Sequence, residues 1–163
     1  MALDIVSRRM PRQKPGRSKQ NYATPRPFVR AVESLLGIDA FDHDFAAEPS
    51  TAVCPSYWTK KQNAFHQRWD VPGWGWLNPP FADIQPWVTQ CRIRGSKGGC
   101  IALLVPASVG SNWFYNDVAS RAFVLFLNGR LSFDGIGPYP KDCMLCLFGP
   151  DYAPGYDVWN WRQ

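Results

Sequence analysis

Four consecutive residues, Asn78-Pro79-Pro80-Phe81, bring together an amide, two rigid rings and an aromatic face. They follow Trp74-Gly75-Trp76-Leu77, an aromatic apolar run that reads as a buried strand. Proline has no N–H to extend a ladder, so the strand must stop there. Asn78 is therefore expected at the tip of a strand, where open α/β sheets bind ligands. The Asn78 side-chain oxygen and the Pro79 carbonyl can both accept hydrogen bonds from one exocyclic NH2 group. Such a nitrogen is a poor nucleophile while its lone pair is delocalised into a ring. Two acceptors favour its pyramidal form and stabilise the positive charge that develops on methylation. Phe81 offers a ring for stacking on the base. These features point to amino-group methyl transfer, with adenine N6 in DNA the best fit. A base inside a duplex must be flipped out, or be single-stranded, to reach such a site. Guanine N2 in RNA and the glutamine amide of a protein present similar chemistry. As a bare tetrapeptide, the same residues also make an ordinary turn.

A methyl donor needs its own pocket. Ala40–Phe45 alternates apolar side chains with Asp42 and Asp44 and reads as a second strand. Asp44 at its tip can accept bonds from the amino group or ribose of S-adenosylmethionine, and Phe45-Ala46-Ala47 lets backbone approach closely. Asp42 and Asp44 can equally be the solvated face of that strand.

The elements that must position these residues follow from the pattern. Thr24 can cap a helix with Pro25 in its first turn. Phe28, Val29, Val32, Leu35 and Leu36 continue it, and Gly37 ends it. Residues 50–73 show no clean period and are expected to form a long, partly helical loop over the site. Ile84–Arg94 fits a helix. Cys100–Val105 and Ala122–Leu127 read as buried strands, with a helix between them that Asn112 can cap. Asn128-Gly129 signals a hairpin into Leu131 and Phe133, giving an antiparallel edge. Residues 143–148 are one more strand, and the aromatic C-terminus is a capping strand or a hydrophobic patch. The reading is a three-layer α/β fold with five to seven strands, mostly parallel.

Composition narrows the function classes. Of the 163 residues, 45% are hydrophobic and eight are tryptophan, enough for one packed domain. No apolar run approaches the ~20 residues of a membrane span, and no secretory signal is visible. The net charge of +5 has an uneven origin: residues 1–30 carry +7 and residues 31–163 carry −2. A basic arm over residues 1–22, with Arg8, Arg9, Arg12, Lys14, Arg17 and Lys19, suits a polyanion such as DNA. Residues 23–163 would form the single domain. The five cysteines are odd in number, which suits free thiols in a reducing cytosol. Cys143-Met-Leu-Cys146 lies in a strand, where residues three apart face opposite ways, so no metal site is expected.

The chain resembles the phage-type DNA N6-adenine methyltransferase family, the Dam-like proteins of phages and prophages. The carriers are Ala23-Thr24-Pro25, Phe41–Ala47, Cys54–Thr59, Trp76–Phe81, Leu104–Ala107, Trp113-Phe114 and Gly129–Phe133. The resemblance implies a Rossmann-like fold, S-adenosylmethionine as donor, adenine in DNA as acceptor and a home in the bacterial cytosol. By position it makes Asn78, Pro79, Pro80 and Phe81 the catalytic motif. It puts Thr24, Pro25, Asp44, Phe45 and Ala46 beside the donor. Ala46-Ala47-Glu48 stands where a glycine-rich donor loop is usual. Only about thirty residues separate Asp44 from Asn78, which implies an abbreviated sheet. A non-catalytic nucleic-acid-binding protein on the same fold is the rival that the absent loop suggests.

Overall fold

A computed structural model describes residues 23–133, 135 and 137–163. The basic cluster at Arg8, Arg9, Arg12, Lys14, Arg17 and Lys19 lies outside the described residues.

Among the described residues, six strands form one sheet in the order β1-β2-β3-β5-β4-β6. They are β1 (His43–Asp44), β2 (Trp74–Leu77), β3 (Cys100–Pro106), β4 (Phe123–Leu127), β5 (Cys143–Phe148) and β6 (Gly155–Trp159). β1, β2 and β3 are mutually parallel, and β4 is parallel to β6. β5 is antiparallel to both of its neighbours. Five strands thus share one direction and β5 alone opposes them.

Two expectations need correction. The antiparallel strand is not a hairpin partner after Gly129 at the sheet edge. It is β5, in the interior, and the edge strand β6 runs parallel to β4. The reason is burial. All six residues of β5 are buried, as an interior strand requires, whereas no residue of β6 is fully buried and Tyr156 and Val158 are exposed. Leu131 and Phe133 are buried in the core without pairing as a strand. The first strand is also shorter than Ala40–Phe45: only His43 and Asp44 pair with β2.

The helices α1 (Arg26–Leu36), α2 (Gln85–Gly95) and α3 (Asn112–Asp117) serve opposite faces of the sheet. Phe28, Val29 and Val32 of α1 join Ala102 and Leu104 in one core. Val88 and Cys91 of α2 join Ile101, Leu103 and Val105 in the other. Alternate residues of β3 thus supply both cores, the period-two rule of a strand covered on both sides. Gly37 ends α1 in the left-handed region at φ 67, while the Ile38 N–H reaches the Glu33 carbonyl. Ser111, not Asn112, caps α3: its Oγ accepts the Phe114 N–H at 3.3 Å. The C-terminal aromatics do form a strand, and Trp159 and Trp161 pack on Phe28. No helix among the described residues is long and apolar enough to cross a membrane.

Candidate active site

β1 and β2 run side by side in register, His43 beside Gly75 and Asp44 beside Trp76. Their C-terminal tips therefore release two turns next to each other, Phe45-Ala46-Ala47 and Asn78-Pro79-Pro80. A cleft of about 720 Å³ opens between these turns, the 48–65 loop and the start of α2. That volume falls in the range of small-molecule sites, about 300–1,000 Å³. Among the residues singled out from sequence, Phe45, Ala46, Asn78 and Pro80 line it. Thr24, Pro25, Asp44, Pro79 and Phe81 do not form part of that wall.

Thr24 has a different job from the expected cap. Its side chain makes no cap to α1; the Pro25 carbonyl takes the Phe28 and Val29 N–H groups instead. The buried Thr24 hydroxyl accepts a hydrogen bond from Asn78 Nδ2 at 3.1 Å. This contact spans 54 residues and sets which way the amide faces.

Asp44 is 2% exposed, and both its oxygens are engaged within the chain. Oδ1 accepts the Ala46 N–H at 3.2 Å and Oδ2 the Val53 N–H at 3.1 Å. Burial pushes its pKa up from 3.8 to about 6, against the pull of those two N–H groups and the charge of Arg26. Arg26 in turn donates to the Val53 and Ala52 carbonyls at 2.7 and 3.0 Å. The carboxylate shapes the 45–53 turn. The carboxylates on the cleft wall are Glu48, which the sequence offered only as part of the stretch in place of a glycine-rich loop, and Asp83, which sequence reasoning missed. Neither stands at a strand tip, so periodicity carried no signal for them.

The 50–73 segment does wrap the site. Trp58, Lys60, Asn63 and Phe65 line the cleft, and Ala64–His66 makes a single 3-10 turn. Phe45 stacks on Trp69 with centroids 4.3 Å apart and planes 12° from parallel. Gly75 permits this: a methyl group there would overlap the Phe45 ring. His43 lies against Trp58 at 4.3 Å, with Nδ1 hydrogen-bonded to Ser56 Oγ at 2.7 Å. Burial lowers its pKa, which favours the neutral ring. His66 is exposed. Phe81 is half-buried, edge-on to Tyr139 at 5.6 Å and Phe133 at 6.0 Å. Cys143 and Cys146 sit in opposite cores, so they cannot chelate one ion together. Burial, with Asp142 adding to it, pushes the Cys143 thiol up to about 12.

The cleft gathers aromatic rings with Asn78, Glu48 and Asp83 along its wall, a lining that suits a planar, polar molecule. Comparison with known proteins agrees with that chemistry. The family model described as DNA N-6-adenine-methyltransferase (Dam) matches residues 12–142. A DNA N-6-adenine-methyltransferase of Escherichia phage T1 is 25% identical over 113 residues, 69% of this chain and 47% of that protein. The chain thus spans about half the length of that relative. No solved structure matches.

Proposed function

The chain belongs to the DNA N-6-adenine-methyltransferase (Dam) family, and we propose that it methylates adenine N6 in DNA with S-adenosylmethionine as donor. One observation carries the reading: Asn78 and the Phe45-Ala46 turn line a single cleft at the shared tip of two parallel strands. Open α/β sheets bind ligands at such a position, which supports the Rossmann-like reading. β1 is the outermost strand on that side of the sheet among the described residues, which is consistent with an abbreviated sheet.

The cleft fits the donor by volume and by its side chains. Glu48 and Asp83 would accept from its ammonium and hydroxyl groups, while Phe45 and Trp58 flank its apolar parts. The close approach that a glycine loop normally provides falls to Ala46 and Ala47. S-adenosylmethionine, when bound, supplies an electrophilic methyl group. The Asn78 oxygen and the Pro79 carbonyl accept from the two N6 hydrogens and stabilise the charge arising on nitrogen. Phe81, beside them and braced by Tyr139 and Phe133, stacks on the flipped or single-stranded base. No general base has to act first, because the amine sheds its proton after transfer. Residues 23–163 form the catalytic domain, and the arm over residues 1–22 grips phosphate in the host cytosol.

Expression in a host that lacks adenine methylation, followed by sequencing of its DNA for N6-methyladenine, tests this directly. Methylated adenine is expected from the intact chain, and none from Asn78→Ala, which should still bind the donor by calorimetry. Label entering RNA or protein instead would reassign the acceptor. Absence of donor binding at millimolar concentration would reduce the chain to a binding protein.

A further inference from the structure

The loop side of the cleft has features that methyl transfer does not itself require. Residues 60–68 contain Lys60, Lys61 and Arg68 and no acid. Arg68 pairs with Asp70, but neither lysine enters an ion pair among the described residues. Phe65 is 40% exposed although it is a large apolar ring, and both it and Lys60 stand on the cleft wall.

The backbone that carries this ring is tied down. Asn63 is the only non-glycine residue with positive φ among the described residues, at 53°. Its Oδ1 accepts the Phe65 N–H at 3.2 Å. The buried Trp69 anchors the turn from below, donating Nε1–H to the Ala64 carbonyl at 2.9 Å. Trp87 supports the Phe65 ring, with centroids 4.5 Å apart. Backbone strain of this kind survives only where the surroundings enforce it, and it clusters at functional sites. A merely solvated loop needs neither the strain nor the exposed ring.

We propose that residues 60–68 seat DNA beside the cleft, an inference that rests on the adenine reading above. Lys60 and Lys61 contact phosphates on either side of the target nucleotide. Phe65 enters the stack where the target base leaves it. A base drawn out of a duplex leaves two unstacked neighbours, and an apolar ring can fill that gap. Because the Phe65 ring already rests against Trp87, less side-chain freedom is left to lose on insertion.

The test compares methyl transfer to duplex plasmid DNA and to the same DNA heat-denatured. Phe65→Ala should lower the ratio of duplex to single-strand rate about tenfold, in line with loss of one aromatic–base stack. Phe65→Tyr should restore it. Lys60→Ala with Lys61→Ala should reduce the salt slope of duplex binding by about 1.8. An unchanged ratio in Phe65→Ala, or equal losses on both DNAs, would overturn the role of the ring. If the wild-type chain methylates neither DNA, the adenine reading fails. Duplex binding then decides the seat alone: an unchanged salt slope in the double lysine variant overturns it, and the reduced slope upholds it.

Discussion

Replacing Thr24 by valine should disarm the site while leaving its walls in place. Valine nearly matches threonine in shape but removes the oxygen that accepts from Asn78 Nδ2 at 3.1 Å. Thr24 is 8% exposed, so water cannot readily take over that bond. Loss of a buried hydrogen-bond partner costs about 1–3 kcal/mol. For a domain of this size, a mid-range loss of about 2 kcal/mol lowers Tm by about 4–8 °C. The catalytic effect should be larger in proportion. The terminal torsion of asparagine is broad and roughly two-fold. Once unlocked, the amide can turn its NH2, a donor, toward the amine that needs an acceptor. Complete loss of one preorganised oxyanion contact costs about 10²–10³ in kcat. Misorientation forfeits part of that, about 10–30-fold, with KM for donor and DNA little changed. Thr24→Ser keeps the hydroxyl and should stay within about threefold of wild type. Steady-state methylation kinetics beside thermal melts measure both effects. Wild-type kcat in Thr24→Val, or an equal fall in Thr24→Ser, would refute the positioning role and leave Thr24 as packing alone.

Three other perturbations follow from the same contacts. Asp44 should impose a pH dependence on stability. Its folded pKa is raised from 3.8 to about 6, so the burden of about 3 kcal/mol is fully present above pH 6 and fades as pH falls toward 4. Melts of wild type and Asp44→Asn at pH 7.5 and pH 5 should show the wild type gaining on the variant in acid; a constant difference would contradict this. Gly75→Ala drives a methyl into the Phe45 ring, disturbs its stack on Trp69 and should destabilise by about 1–3 kcal/mol. It should also weaken donor binding by calorimetry, and Phe45→Leu in the same chain should recover part of the stability; no recovery would locate the strain elsewhere. Deletion of residues 1–20 removes six of the arm's basic side chains and should flatten the salt slope of DNA binding by up to about 5. A slope identical to that of the intact chain would show that the arm makes no phosphate contact.

Much of the architecture was legible because it is written in local, repeating signals. The run Cys100–Val105 with its closing proline, the apolar stretch 143–148 and the Gly37 stop correspond to β3, β5 and the end of α1. Asn78 at the tip of β2 was equally legible, since two prolines forbid any extension of the ladder. Placement between elements was not local. Asn128-Gly129 looks like a hairpin, yet the chain leaves β4 there and returns fifteen residues later as interior β5. The decision lay in which strand could tolerate burial on both faces, a property of the assembled sheet.

The sequence by itself determined most of the elements, their order and the Asn78-Pro79-Pro80 turn, because proline chemistry and apolar period act between near neighbours. Tertiary structure decided everything that depends on convergence. It gave Thr24 to Asn78 across 54 residues and turned Asp44 inward to hold the 45–53 loop. It brought Glu48 and Asp83 to the cleft in place of Asp44. A side chain's type states which bonds it can make; only the packed sheet determines which partners come within reach.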